Sequence, residues 1–369
     1  MFEAGRAFHV ETSLHNNLRI WRDTQELVQL RATILRCSIS RRIAASRQRS
    51  QKVGNTQKLM ENLTNTIRNF DWTDLSQNDR WENWRTAKIR VSQTLEQIEP
   101  VSIAALDKPD PQAVAAIEWR CSVQNFAIYR TGNHDPRLEY TSASLLRFAG
   151  QLGLSIAENH RSAGLSHVVA LRTSSGEGKK GYIPYTPRPM NWHTDGYYNP
   201  PEQPVKGFIL HCFQQALSGG ENHLLDPEVA YLRLRDENPD YVRALMHPEA
   251  MTIPENREKD GTLRPTSTGP VFHSDEATGR LQMRYTARTR SIAWRDDPAT
   301  RAAADWLRDW LGSGDPLMRS IRLQPGQGIV CNNVLHDRTG FTDGEGEQAR
   351  VILRIRFHQR VREDFRGAA

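Results

Sequence analysis

No stretch of this 369-residue chain comes near the roughly 18 consecutive apolar residues that cross a bilayer, so no transmembrane helix is expected. Cysteine is scarce. The four residues at 37, 121, 212 and 331 are widely spaced and form no Cys-x-x-Cys pair, which excludes a disulfide framework and fits a reducing, cytoplasmic setting. Cys212 and Cys331 lie in apolar runs and read as small buried hydrophobes. Internal repeats and low-complexity tracts are absent, and so is the basic-then-apolar pattern of a secretory signal after Met1.

Excess charge is also missing from most of the chain. The formal net charge is +6, but residues 53–369 carry 39 cationic and 39 acidic side chains, so the imbalance belongs to residues 1–52, with ten Lys or Arg against four Asp or Glu. There Arg31, Arg36, Arg41, Arg42, Arg47 and Arg49 alternate with Val28, Leu30, Ile34, Leu35 and Ile39, a pattern for a basic amphipathic helix. Such a segment suits an anionic surface or nucleic acid, yet charge-rich termini are more often solvated extensions. Nucleic acid is therefore not the expected partner. Residues 55–97 are polar and helical in pattern, with Leu59, Leu63, Ile67 and Phe70 near a 3.6 period and Trp72, Trp81 and Trp84 after them. The expected division is a basic, polar, helical N-terminal extension over 1–95 and a main domain over 96–369.

What the chain does contain is a constellation in its second half. In Asn191-Trp192-His193-Thr194-Asp195-Gly196, residues i and i+2 of an extended strand project from one face, so an imidazole and a carboxylate can converge on one cation. The spacing alone is weak, because His247-x-Glu249 and His273-x-Asp275 share it. Downstream, Pro325-Gly326 opens a short apolar strand that leads to His336, then Arg338 and Phe341. After it, residues 350–357 alternate, with Val351, Leu353 and Ile355 on one face and Arg350, Ile352, Arg354 and Arg356 on the other. Three guanidiniums on one strand face need anionic company, because unpartnered buried charge is costly. Two histidines and a carboxylate that leave open positions form the ligand set of non-heme Fe(II) oxygenases.

Taken together, His193-x-Asp195, His336 and Arg350, with Asn333-x-x-His336-x-Arg338, resemble the TauD/TfdA family of Fe(II)- and 2-oxoglutarate-dependent dioxygenases over about residues 95–360. The run 204–226, with its Gly219-Gly220 turn, is similar to the strand and turn that follow the family's His-x-Asp. The resemblance implies a mainly β fold with α, an α+β chain whose core is a double-stranded β-helix (jelly roll) flanked by helices. It also implies a helical insertion at about 227–315, and His193, Asp195 and His336 as ligands to Fe(II). Arg350 would hold the distal carboxylate of 2-oxoglutarate. Arg354 would contact a carboxylate of cosubstrate or substrate, and Asn222 occupies a position where relatives often have a threonine that touches 2-oxoglutarate. The reaction implied consumes O2 and 2-oxoglutarate, releases succinate and CO2, and hydroxylates an aliphatic carbon. One departure is Asn332-Asn333 where relatives often have Asn-Arg.

The substrate expected from this reading is a small charged organic molecule such as a sulfonate, carboxylate, phosphonate or betaine. Arg338 would serve an anionic group, and Trp192, Tyr197, Tyr198 and Phe341 a cationic one through cation-π contact. The loop 172–189 reads as a lid, and the arginines of 284–290 are equally substrate contacts or partners of Asp296 and Asp297. A homo-oligomer is compatible with the sequence. Two other classes are a zinc hydrolase, which has no use for Arg350 and Arg354 at their spacing, and a non-catalytic jelly-roll binding protein with a basic nucleic-acid-binding arm, which has no use for the full ligand set.

Overall fold

The computed structural model describes residues 58, 61–97, 99–158, 167–173, 183–257, 261 and 263–363. The basic helix expected before residue 50 lies outside them, as do residues 174–182, half of the expected lid. The chain divides into two compact units, 1–62 and 63–369, and the second carries the sheets and their helices. Residues 63–95, expected in the N-terminal extension, belong to that second unit.

The helical N-terminal pattern is broken at 69–77, where the Asp71 and Asp74 carboxylates accept from the N–H groups of Thr73 and Ser76. Short acceptors of this kind compete with helix continuation. Helix α1 (Asn78–Glu96) then buries Trp81, Trp84, Ala87, Lys88, Val91 and Leu95. Strand β1 (Val101–Ile103) and helix α2 (Pro111–Gln124) follow. Asp110 caps α2 through the Gln112 N–H, and Pro111 sits at its first position. Helix α2 runs on until Asn125 turns left-handed at φ 64°, and β2 (Phe126–Thr131) starts at the next residue. Helix α3 (Leu138–Gln151) completes this outer layer.

The two main sheets are built from β1 and β2 together with β3 (Val169–Leu171), β4 (Met190–His193), β5 (Gly207–Gln214), β6 (Asn222–Leu225), β7 (Arg319–Ile321), β8 (Gln327–Cys331), β9 (Leu335–Arg338) and β10 (Val351–Phe357). The larger has the order β1-β2-β8-β5-β10-β3 and the smaller the order β7-β6-β9-β4. All pairs are antiparallel except β1 with β2. Phe208, Leu210, Cys212, Ile329, Cys331 and Ile352 of the large sheet share an apolar layer with Leu224 of the small one. Val351, Leu353, Ile355 and Phe357 point the other way, into a core with α2 and α3. This is the double-stranded β-helix with outer helices that the resemblance implied, and the alternation read along β10 is the one observed.

The insertion between β6 and β7 holds α4 (Pro227–Glu237), α5 (Pro239–Leu245) and α6 (Pro298–Ser313), capped by Asp226, Asn238 and Asp297, each followed by proline. Its own core takes in Trp72, Trp81 and Trp84 from the N-terminal segment and Trp192, Leu225 and Leu335 from the small sheet. Beside it, the fully buried Lys88 ammonium donates to the Val123 carbonyl at 2.7 Å and contacts the Asp226 and Glu228 carboxylates at 2.5 Å. Arg280 adds a second cation, 3.0 Å from Glu228. Helix α1 is thus tied to α4 by charge as well as by aromatic packing.

Candidate metal centre

His193 ends β4 and His336 sits directly across from it on β9. Antiparallel pairing thereby brings the two imidazoles, 143 residues apart in sequence, to a ring separation of 4.2 Å. Asp195 lies just past the strand end, and one ligand atom from each of the three falls within 4.8 Å of the others. The Nδ1 atoms of His193 and His336 lie 2.8 and 3.0 Å from the carbonyls of Asn191 and Val334. A carbonyl can only accept, so each Nδ1 carries the proton and each Nε2 keeps a lone pair for a metal. Burial, with His336 adjacent, pulls the His193 imidazole down to about 3, and burial lowers His336 as well. Both are neutral at physiological pH, as a ligand must be.

Burial would push the Asp195 carboxyl up, but Arg354 and Arg356 beside it hold it well below the usual carboxylate range. The Arg354 guanidinium is 3.3 and 3.4 Å from the two Asp195 oxygens. Within the chain, the carboxylate that Arg354 meets is that of Asp195. Arg356 ion-pairs with Glu158 and donates to the Tyr198 hydroxyl at 3.1 Å. Asn333, in the left-handed region at φ 52°, locks the Asp195 backbone. It accepts from the Asp195 N–H at 2.8 Å and donates to the Asp195 and Val205 carbonyls at 2.9 and 2.6 Å. The motif containing Asn333 was legible, but this role was not, since no local pattern says which main chain a side-chain amide will meet.

Arg350 and Arg338 both lie over the Phe341 ring, 4.9 and 4.8 Å from its centroid. Both are buried, and among the described residues no carboxylate lies within 4.0 Å of either guanidinium. Arg338 donates to the Thr186 and Arg188 carbonyls. Burial lowers Arg350, and burial together with Arg350 lowers Arg338 to about 10, the signature of two cations short of an anion. Asn222 pairs with Arg338 across β6 and β9. The Gly219-Gly220 turn is held at φ 71° and 76°, and a Cβ at Gly219 would fall 2.3 Å from the Gly340 carbonyl, so the chain needs glycine there.

Of the expected substrate residues, Tyr197 stands edge-on to His193 with ring centroids 6.3 Å apart, and Tyr198 follows it at 5.2 Å. Trp192 is not brought to the site. It occupies the opposite face of β4 from His193 and is 7% exposed in the insertion core, stacked on His223. His223 is paired with Asp337 at 2.7 Å, and His211 is buried against the Tyr129 hydroxyl at 3.0 Å. The acids near 284–290 are engaged elsewhere, Asp296 with Arg301 and Asp297 with Arg295. Arg284 donates to the Met251 and Ser267 carbonyls and is structural.

Two neutral imidazoles and one carboxylate at the mouth of a double-stranded β-helix define the two-histidine, one-carboxylate class of metal sites. The chain belongs to the taurine catabolism dioxygenase TauD, TfdA family, whose model matches residues 126–356. It is 32% identical over 159 residues to a uridine-5'-phosphate dioxygenase from Amycolatopsis sp., a match taking in 41% of this chain and 55% of that protein. The chain thus spans about half the length of that curated relative. Among solved structures, asparagine oxygenase in complex with Fe(II), 3-hydroxyasparagine and succinate matches with a TM-score of 0.52 at 14% identity, over 84% of this chain and 92% of that one. The non-heme iron oxygenase OrfP in complex with Fe, succinate and 3-hydroxyarginine matches with a TM-score of 0.50 at 15% identity, over 76% and 92%. These two likenesses concern the fold.

Proposed function

We propose that this protein is an Fe(II)- and 2-oxoglutarate-dependent oxygenase that hydroxylates an aliphatic carbon of a small anionic molecule. The carrying observation is that both imidazole Nδ1 atoms are occupied by backbone carbonyls, which leaves two Nε2 atoms and one carboxylate aimed at a common point. That donor set fits a ferrous ion, with His193, Asp195 and His336 as its ligands. Arg350, buried and without a carboxylate partner among the described residues, fits the distal carboxylate of 2-oxoglutarate, with Arg338 and Asn222 alongside.

Bound there with O2, iron and 2-oxoglutarate supply the oxidation that yields succinate, CO2 and a hydroxylated substrate carbon. The chain contributes positioning and charge. Arg354 keeps Asp195 ionised and orients it, and Asn333 fixes its backbone. Phe341 packs against both cosubstrate arginines. Tyr197 forms a wall beside His193. For the substrate we favour a nucleoside monophosphate, on the strength of the uridine-5'-phosphate dioxygenase relative and the cationic surroundings of the site.

The test is anaerobic titration of the apoprotein with Fe(II) and 2-oxoglutarate, monitored for a visible metal-to-ligand charge-transfer band, with Asp195→Ala and Arg350→Ala in parallel. A band in wild type that is lost in the first variant and needs more 2-oxoglutarate in the second is expected. Bound iron without a band would overturn the reading.

A further inference from the structure

One guanidinium near the metal centre, that of Arg288, has no acid to answer it among the described residues. Residues 285–288 run alongside β4 as an extra edge. Thr286 forms an antiparallel bridge to His193, the Thr194 N–H donates to the Tyr285 carbonyl at 3.0 Å, and the Ala287 N–H donates to the Trp192 carbonyl at 2.8 Å. Side chains on an extended segment alternate, so Thr286 and Arg288 share the face on which His193 stands. Trp192 and Tyr285 confirm the register by pointing together into the insertion core.

The Arg288 guanidinium is half-buried. One Nη donates to the Tyr197 hydroxyl at 2.8 Å and Nε donates to the Arg290 carbonyl at 2.8 Å. Guanidinium carries five N–H groups, so these two bonds anchor the side chain and leave the rest of its fork unspent. Among the described residues no carboxylate lies within 4.0 Å of it, and the acids nearest in sequence, Asp296 and Asp297, are paired with Arg301 and Arg295. Tyr197, its anchor, stands edge-on to the His193 ring. Strand β4 is therefore flanked by two cations, Arg338 on β9, across from Met190, and Arg288 on the other side.

We propose that Arg288, held by Tyr197, is the specificity-determining residue that grips the phosphate of the primary substrate, while Arg350 and Arg338 take the cosubstrate. This rests on the oxygenase reading above. A planar fork with free N–H groups matches two oxygens of a phosphate monoester at once, and an amide or hydroxyl in its place cannot.

The test uses the full chain loaded anaerobically with Fe(II) and 2-oxoglutarate. Binding of uridine-5'-phosphate and of uridine is measured by calorimetry to wild type, Arg288→Gln, Arg288→Lys and Tyr197→Phe. The charge-transfer band is followed in each sample, so that a failure of the oxygenase reading shows as a missing band and a failure of this proposal as a normal band with the wrong ligand response. The expected result is a band in every variant, uridine-5'-phosphate binding weakened about tenfold or more in Arg288→Gln, less in Arg288→Lys and Tyr197→Phe, and weak uridine binding that none of the variants changes. Wild-type enzyme that shows the band yet binds the nucleotide no better than uridine would overturn the proposal. So would Arg288→Gln that binds the nucleotide as wild type does, or that loses both ligands equally.

Discussion

Asp195 and Asn333 are joined by two reciprocal hydrogen bonds, the Asp195 N–H to Asn333 Oδ1 at 2.8 Å and Asn333 Nδ2 to the Asp195 carbonyl at 2.9 Å. An amide side chain here does the work of a neighbouring strand. It pairs with the backbone of the carboxylate donor where β4 has already ended, and it reaches that position only because Asn333 takes a left-handed conformation, φ 52°, that asparagine tolerates. Asn333→Gly keeps the backbone conformation and removes the clamp, so iron affinity is expected to fall about 10- to 100-fold. Asn333→Ala is expected to add a loss of about 1 kcal/mol in stability. Iron titration and thermal denaturation separate the two effects.

Arg354 sets the acid limit of metal binding. Burial drives the Asp195 carboxyl upward and the Arg354 and Arg356 guanidiniums overcome it, holding the group ionised to unusually low pH. Protons compete with iron only for a carboxyl that can take them. Replacing Arg354 with Met removes a depressing charge, so the Asp195 pKa rises and iron binding is lost at a higher pH than in wild type as pH falls. A pH series of iron binding from neutral downward, with far-ultraviolet circular dichroism confirming the fold, checks the shift; coincident profiles would contradict it.

Arg350 and Arg338 should divide their roles. Truncating a buried, charge-paired arginine costs about 2 kcal/mol or more, so Arg350→Gln is expected to weaken 2-oxoglutarate binding by on the order of 30-fold while iron still binds. Arg338 also donates to the Thr186 and Arg188 carbonyls. Its replacement by Gln is therefore expected to lower the melting temperature as well as the cosubstrate affinity.

Lys88 ties helix α1 into the folded unit. It is fully buried between Asp226 and Glu228, and removing one partner of a buried charge cluster costs about 3–5 kcal/mol. Lys88→Met is expected to destabilise the protein by that order in chemical denaturation. Deletion of residues 1–57 is expected to leave the charge-transfer band intact. Deletion of residues 1–95 takes away Trp81, Trp84 and Lys88 together and is expected to yield no soluble folded protein.

Where chemistry is written in local spacing, the sequence was enough. The i, i+2 relation of His193 and Asp195, the alternation along residues 350–357, the Gly219-Gly220 turn and the proline-led helix starts of the insertion all act over a few residues, and backbone geometry turns each directly into a face or a turn. The four motifs in order also carried the family. Other decisions were made between segments far apart in the chain. Which face of β4 would meet the insertion core was settled by packing, which buried Trp192 away from the site that its neighbour His193 helps to build. The partner of Arg354 was settled by the large sheet facing the small one, which put Asp195 in its reach. Lys88 acquired its carboxylates, Asn333 its backbone clamp and Arg288 its place beside Tyr197 through strand register and sheet stacking. Such contacts depend on the sum of many long-range pairings, and no window of a few residues contains that sum.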